Sequence, residues 1–101
     1  MKLIYQSRFF KSHQSDRDRN FILDFGHKTV KFRFCQLLAF RQQLKNIDLD
    51  SHFSGKNKHG LEILTLCNKE HIFVFNTFEI LDLQELLRGT FAMTELNSLV
   101  S

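Results

Sequence analysis

Apolar and polar residues alternate along two neighbouring segments of the chain, 20–26 and 28–35. Such alternation is typical of β-strands that bury one face. The dipeptide Gly26-His27 separates them, and glycine in its first position suits a two-residue type II′ turn because glycine tolerates positive φ. A turn of this kind pairs Leu23 with Val30. The pattern therefore predicts a β-hairpin.

The residues that follow this hairpin change to a helical period. Leu37, Phe40, Leu44 and Ile47 recur at the spacing of one helix face. They predict a helix over 36–47.

A second unit of the same kind begins at Leu61. We expect strands at 61–67 and 70–75, joined by a turn near Asn68-Lys69, and then a helix over 77–88.

The second helix has recognisable ends. Asn76 is followed three residues later by Glu79, as in a capping box, and Gly89 stands where a C-terminal cap belongs. The tail over 90–101 is then expected to be a short final helix or a docked extension.

The two units match each other when the chain is shifted by 41 residues. Residues 21–43 and 62–84 then share six identities in 23 positions, where roughly one or two are expected by chance. Duplication of one ancestral unit and convergence of two amphipathic units both account for the match. Either origin predicts a ββα unit written twice, at 20–47 and 61–88.

The remaining segments complete the expected fold. Residues 2–10 are predicted to form an extra N-terminal strand, 11–20 a charged loop, and 48–60 a polar connection. A chain of 101 residues has the length of one domain, 1–101. We expect the α+β class, with an antiparallel sheet of four or five strands and two main helices on one face.

The outward faces of the two predicted hairpins differ in polarity. The outward face of the first is basic, whereas the second carries four large aliphatic side chains, Leu61, Ile63, Ile72 and Val74. Exposed apolar patches of more than a few hundred Å² are uncommon in monomers, so this second face needs a cover. The candidates are the N-terminal strand, the C-terminal tail and a second copy of the chain, which would make the protein a homodimer.

Charge is divided unequally along the chain. The first 60 residues carry 12 Lys and Arg against 5 Asp and Glu, a net charge of +7, and the last 41 carry 2 against 6, a net charge of −4. This asymmetry indicates either self-association or an anionic partner. Thr29, Lys31 and Arg33 are the candidate anion-binding residues, and nucleic acid is the partner they suggest. Because the strand aromatics fall on the opposite face, we favour an ordinary solvated sheet surface.

Sequence motifs of catalysis and cofactor binding are missing. There is no P-loop, no dinucleotide-binding glycine loop and no nucleophile motif. Cys35 and Cys67 stand 32 residues apart without a Cys-x-x-Cys pair. We therefore expect a non-catalytic interaction module with no metal and no cofactor. A small thiol or metal protein, using Cys35 and His71, is the remaining alternative.

Hydrophobicity along the sequence bears on its location. No stretch approaches the ~20 apolar residues that cross a bilayer, and residues 1–8 lack the apolar run of a signal peptide. We expect a cytoplasmic protein with reduced thiols and no membrane partner.

A hairpin containing Phe-Gly is followed in this chain by an amphipathic helix. The residues concerned are Phe21–Gly26, Phe32–Phe34 and Leu37–Phe40, which lie within a segment of about a fifth of the chain. This layout resembles a group of short uncharacterised bacterial proteins of the Bacteroidetes type. Many members of that group place a Cys pair just before the hairpin, where this chain has Lys11–Ser15. The resemblance therefore implies the hairpin and helix, and it implies neither a metal site nor an activity.

Overall fold

The structure, a computed structural model, describes residues 2–54, 60–66 and 71–100. The predicted turn near Asn68-Lys69 lies outside these residues. The described elements are β1 (Lys2–Gln6), β2 (Lys11–Gln14), β3 (Phe21–Asp24), β4 (Thr29–Phe32), α1 (Phe34–Lys45), α2 (Leu49–Phe53), β5 (Leu61–Leu66), β6 (His71–Asn76) and α3 (Thr77–Val100). Their strand pairs are antiparallel, which confirms the predicted α+β class.

The first four strands form one sheet in chain order, β1-β2-β3-β4. Leu23 pairs with Val30 across β3 and β4, as predicted. Gly26 has a φ of 92°, and the N–H of Phe25 donates to the carbonyl of Lys28 over 2.9 Å. The two-residue turn is therefore confirmed, and it needs glycine because positive φ strains residues that carry a Cβ.

The N-terminal segment forms two strands, where the sequence predicts one strand over 2–10 and a charged loop over 11–20. β1 and β2 pair with each other, and the turn between them is closed by a hydrogen bond of 2.9 Å from the N–H of Ser7 to the carbonyl of Phe10. The predicted strand is therefore wrong over 7–10, where the chain turns, and the predicted loop is wrong over 11–14, where β2 lies.

β2 has no recognisable strand pattern because its buried position is polar. Ser12 is fully buried, and its hydroxyl lies 2.6 Å from the hydroxyl of Thr90 on α3. Thr90 donates its own proton to the carbonyl of Leu86 over 2.6 Å, so it accepts from Ser12. A buried hydroxyl without a partner costs about 1–3 kcal/mol, and this pair avoids that cost.

The second hairpin, β5 and β6, forms a separate two-stranded sheet. Leu64 pairs with Phe73, whereas the shift of 41 residues from the Leu23–Val30 pair would place it opposite His71. The register is thus displaced by two residues. An even displacement keeps every side chain on its face, so both ββα units have the predicted inner and outer faces. Their common origin stays a prediction.

α1 and α2 differ from the predicted elements at their ends. α1 begins at Phe34 rather than at 36, which removes Phe34 from the strand and leaves its side chain 51% exposed. α2 lies within the predicted polar connection 48–60, where the Asp48 carboxylate accepts the N–H of Ser51 over 3.3 Å. An aspartate at this position stabilises the first turn of a helix, even a short one.

The first turn of α3 confirms the predicted capping box. The Asn76 side-chain oxygen accepts the N–H of Glu79 over 2.8 Å, and the Glu79 carboxylate accepts the N–H of Asn76 over 3.0 Å. These reciprocal bonds satisfy two backbone donors at the helix start.

The other end of α3 was predicted wrongly. The helix continues through Gly89 to Val100, so the predicted end at 88 and the separate tail over 90–101 do not exist as such. Gly89 allows close packing instead of ending the helix, because a Cβ at this position would lie within 3.0 Å of the Tyr5 ring on β1.

One cluster of buried apolar side chains joins both sheets to α1 and α3. Phenylalanine rings connect the sheets to each other, with the Phe25 centroid 4.7 Å from that of Phe73 and 5.8 Å from that of Phe75. The helix α3 contributes four nearly inaccessible side chains, Ile80, Leu83, Leu86 and Leu87.

We expect Gly89→Ala to lower the free energy of unfolding, because the new methyl group collides with the Tyr5 ring. In a helix interior alanine otherwise favours folding by about 1 kcal/mol over glycine. The sign of the effect should therefore reverse in a Tyr5→Ala background. Urea unfolding of all four chains, followed by far-UV circular dichroism, measures both effects. Stabilisation by Gly89→Ala in both backgrounds would show that the close contact imposes no constraint.

Candidate functional site

The outward side of the second hairpin is a continuous aliphatic surface. We call Leu61, Ile63, Ile72 and Val74 the outer aliphatic face. Their side chains are 47%, 69%, 69% and 55% exposed. Ile63 lies opposite Val74, and Thr65 opposite Ile72, so the face spans both strands. Leu64, Phe73 and Phe75 point the other way and are buried. The structure thus places all four predicted interface residues on one surface.

The first hairpin shows that the fold does not require aliphatic residues at the outward positions of a hairpin. On β4, Val30 and Phe32 are buried while Thr29 and Lys31 are exposed. β6 has the same alternation of buried and exposed positions, yet its exposed ones include Ile72 and Val74. The two hairpins therefore share their inner pattern and differ in their outer one.

Neither intramolecular cover suggested by the sequence shields this face within the described residues. The N-terminal strand β1 pairs with β2 in the other sheet. The segment after Gly89 continues α3, and its Phe91 packs against the core cluster. The third candidate cover is a second copy of the chain.

The candidate anion-binding residues do not form one row on a strand. Arg33 lies beyond the end of β4, and its N–H donates to the Gln36 side chain over 2.8 Å at the start of α1. The ammonium group of Lys31 lies 2.7 Å from the Asp18 carboxylate. This hydrogen bond lowers the pKa of Asp18. Thr29 is exposed beside them on the outward face. Anion binding by Thr29, Lys31 and Arg33 stays a prediction, and Asp18 already offsets part of its charge.

The thiol or metal alternative rests on Cys35 and His71, which lie on different elements, α1 and β6. Cys35 is exposed in the first turn of α1 rather than at the end of a strand. Cys67 lies outside the described residues. His71 is half-buried, and its Nδ1 makes no hydrogen bond in the described part of the chain. Among the described residues, no three His, Cys, Asp or Glu side chains are grouped as a metal site requires.

A histidine that the sequence did not single out lies at the centre of a polar cluster. The His52 side chain is fully buried at the end of α2. Its Nδ1 lies 2.7 Å from the Thr77 hydroxyl, and its Nε2 lies 2.8 Å from the Glu62 carboxylate. The Thr77 hydroxyl also lies 3.4 Å from the carbonyl of Gly60. The cluster joins residues from α2, β5 and α3, so no local motif could reveal it.

The three groups follow the hydroxyl–imidazole–carboxylate order of a catalytic triad. The imidazole, however, is too deeply buried to reach a substrate. An imidazole that serves as a general base must come within hydrogen-bond reach of the reacting group. The His52 ring is 0% exposed. Both of its nitrogens already have protein partners. The hydrogen bonds of His52 therefore connect α2 to the start of β5 and to the first turn of α3.

Comparison of the chain with protein-family models, curated proteins and solved structures finds no match in any of the three. The resemblance to Bacteroidetes-type proteins accordingly stays a prediction. Within the described part of the chain, every helix is too short or too polar to span a bilayer.

We expect Thr77→Val to lower the free energy of unfolding by about 1–3 kcal/mol, because it leaves a buried imidazole nitrogen without its partner. Thr94→Val is the matched control, since the Thr94 hydroxyl donates to the Thr90 carbonyl within the same helix. Urea unfolding compares the two variants with the parent chain. Equal stability of Thr77→Val and Thr94→Val would show that the cluster adds nothing.

Proposed function

We propose that this protein is a non-catalytic interaction module that forms a homodimer through its outer aliphatic face. One observation carries the proposal: Leu61, Ile63, Ile72 and Val74 are 47–69% exposed on one side of a hairpin. Exposed contiguous apolar surface is a mark of protein contact sites, because leaving it in water costs about 25 cal/mol per Å².

The chemistry of this face favours a second copy of the chain as its occupant. The six outward positions on β5 and β6, read from the register, are Leu61, Ile63, Thr65, Ile72, Val74 and Asn76. All six side chains are uncharged. A two-fold dimer brings each patch against itself, so charges of one sign would repel across the axis. A polyanion or an acidic peptide would instead require cationic groups, which none of these positions supplies.

The extent of such a contact follows from the usual size of a stable interface. About 800 Å² is buried on each partner, more than four aliphatic side chains provide. The contact must therefore extend beyond the hairpin. Phe78, in the first turn of α3 directly after the hairpin, is 74% exposed and is a source of further apolar area close to it.

We expect the double variant Ile72→Lys, Val74→Lys to be monomeric. Two lysines on each copy would be buried at the contact without partners, which should raise the dimer dissociation constant by about 100-fold or more. Size-exclusion chromatography with light scattering, run over a range of concentrations, measures the shift. Far-UV circular dichroism checks that the variant is folded, as the outward Lys31 on β4 leads us to expect.

Thr29→Lys is the matched control, because it adds a lysine to the outward face of the other hairpin. It should leave the dimer intact. A parent chain that is monomeric at high concentration would contradict the proposal. So would a dimer that survives both lysines on β6. Recording absorbance at 260 nm on the same column, at low and high salt, also detects bound nucleic acid.

A further inference from the structure

A second surface feature lies away from the outer aliphatic face, between α1 and α3. The two helices enclose a cleft of about 450 Å³. Its floor is formed by Leu44 and Leu87, which are almost inaccessible, and one wall by the half-buried ring of Phe91. At one end, the Gln84 side chain donates to the carbonyl of Leu44 over 3.3 Å and joins the two helices. Clefts that hold small ligands commonly have volumes of about 300–1,000 Å³ and apolar floors.

The rim of this cleft is cationic. Arg41 and Lys45 line it from α1, one turn apart, and Arg88 lines it from α3. Glu95 is the acidic residue that lines it. Arg88 already forms an ion pair with Glu85, so Arg41 and Lys45 hold the positive charge that a ligand would meet.

Arg41 is held in place for such a role. Its guanidinium carbon lies 4.3 Å from the centroid of the Phe91 ring, in a cation–π contact. A cation–π contact uses no carboxylate or carbonyl acceptor, so the guanidinium can still donate hydrogen bonds to a planar anion. The same ring thus forms an apolar wall and positions a cation above it.

The cleft at the start of α3 has the opposite character. It is larger, about 750 Å³, and Glu79, Asp82 and Glu85 lie along it. Asp82 there accepts hydrogen bonds from the Ser7 hydroxyl and from the backbone N–H groups of Arg8 and Phe9. Of these two clefts, the one between α1 and α3 therefore has the charge that favours an anion.

We propose that the cleft between α1 and α3 binds a small amphipathic carboxylate, with its acyl or aryl body against the accessible apolar lining, Phe91 and Ala92, above Leu44 and Leu87. Its carboxylate pairs with Arg41 and Lys45. This site is independent of the proposed dimer, since none of its lining residues belongs to the outer aliphatic face.

Decanoate is the probe, and isothermal titration calorimetry on the full chain measures its affinity. Arg41→Gln and Lys45→Gln should each weaken decanoate binding by about tenfold, the effect of losing a charge-assisted hydrogen bond. Arg41→Lys should retain most of the affinity, because it keeps the charge. Decanol should bind more weakly to the parent chain and should be insensitive to Lys45→Gln.

Two further variants separate this cleft from other apolar surfaces. Ala92→Trp, at an exposed lining position, should fill the cleft and abolish binding of decanoate and decanol alike. Lys31→Gln, which removes a cation elsewhere, should change nothing. Titration of dodecyl phosphate and of dodecanoate compares a phosphate with a carboxylate head group on the same alkyl chain. Tighter binding of dodecyl phosphate would overturn the assignment to carboxylates.

Two results would overturn the site itself. The first is failure of decanoate to bind the parent chain at millimolar concentration. The second is binding that Ala92→Trp leaves unchanged and that Ile72→Lys, Val74→Lys removes, which would place the ligand on the outer aliphatic face. Circular dichroism of each variant confirms that a loss of binding is not a loss of folding.

Discussion

The close packing of α3 against the rest of the chain is the constraint on which the structure depends. Among the described strands none pairs across the two sheets, which are joined through α3 and through the phenylalanine rings between them. Gly89 lets β1 approach the helix backbone at the Tyr5 ring, and the buried Ser12–Thr90 hydroxyl pair fixes the neighbouring strand. At the other end of the same helix, Asp82 accepts three hydrogen bonds from residues 7–9. One helix thus holds the first sheet at several points and still contacts β6.

This arrangement explains where surface remains for binding. The second hairpin packs its inner side on the rest of the described chain, and the aliphatic side chains of its outward side are exposed to water. Over the same turns that contact β1, α3 also packs against α1, and the two helices leave a cleft floored by Leu44 and Leu87. The two proposed sites are therefore both consequences of how α3 is packed, and they lie on different elements.

Local pattern was sufficient to predict the β3–β4 and β5–β6 strand pairs, their inner and outer faces and the capping box of Asn76 and Glu79, because each depends on residues a few positions apart. Three features that the sequence missed involve distant partners. Ser12 is polar yet buried, since Thr90 satisfies it from 78 residues away. Gly89 has the appearance of a helix end, and its packing role is visible only beside Tyr5. The His52 cluster needs Glu62 and Thr77 as well. The outer aliphatic face was found from the sequence because strand periodicity alone determines it, whereas the basic cleft requires the crossing of two helices.

The comparison of the two hairpins bears most directly on why the outer aliphatic face exists. Both hairpins bury the same kind of inner face, and β4 does so with Thr29 and Lys31 outward. Polar outward residues are thus compatible with a hairpin of this design, and Ile72 and Val74 are not needed for its inner packing. β-branched residues favour strands only modestly, by amounts within about 1 kcal/mol. Against that gain stands an exposed aliphatic surface that promotes association with any similar surface. In the proposed homodimer a specific contact turns that liability into the driving force for assembly, which is the physical reason for proposing this face as the contact site.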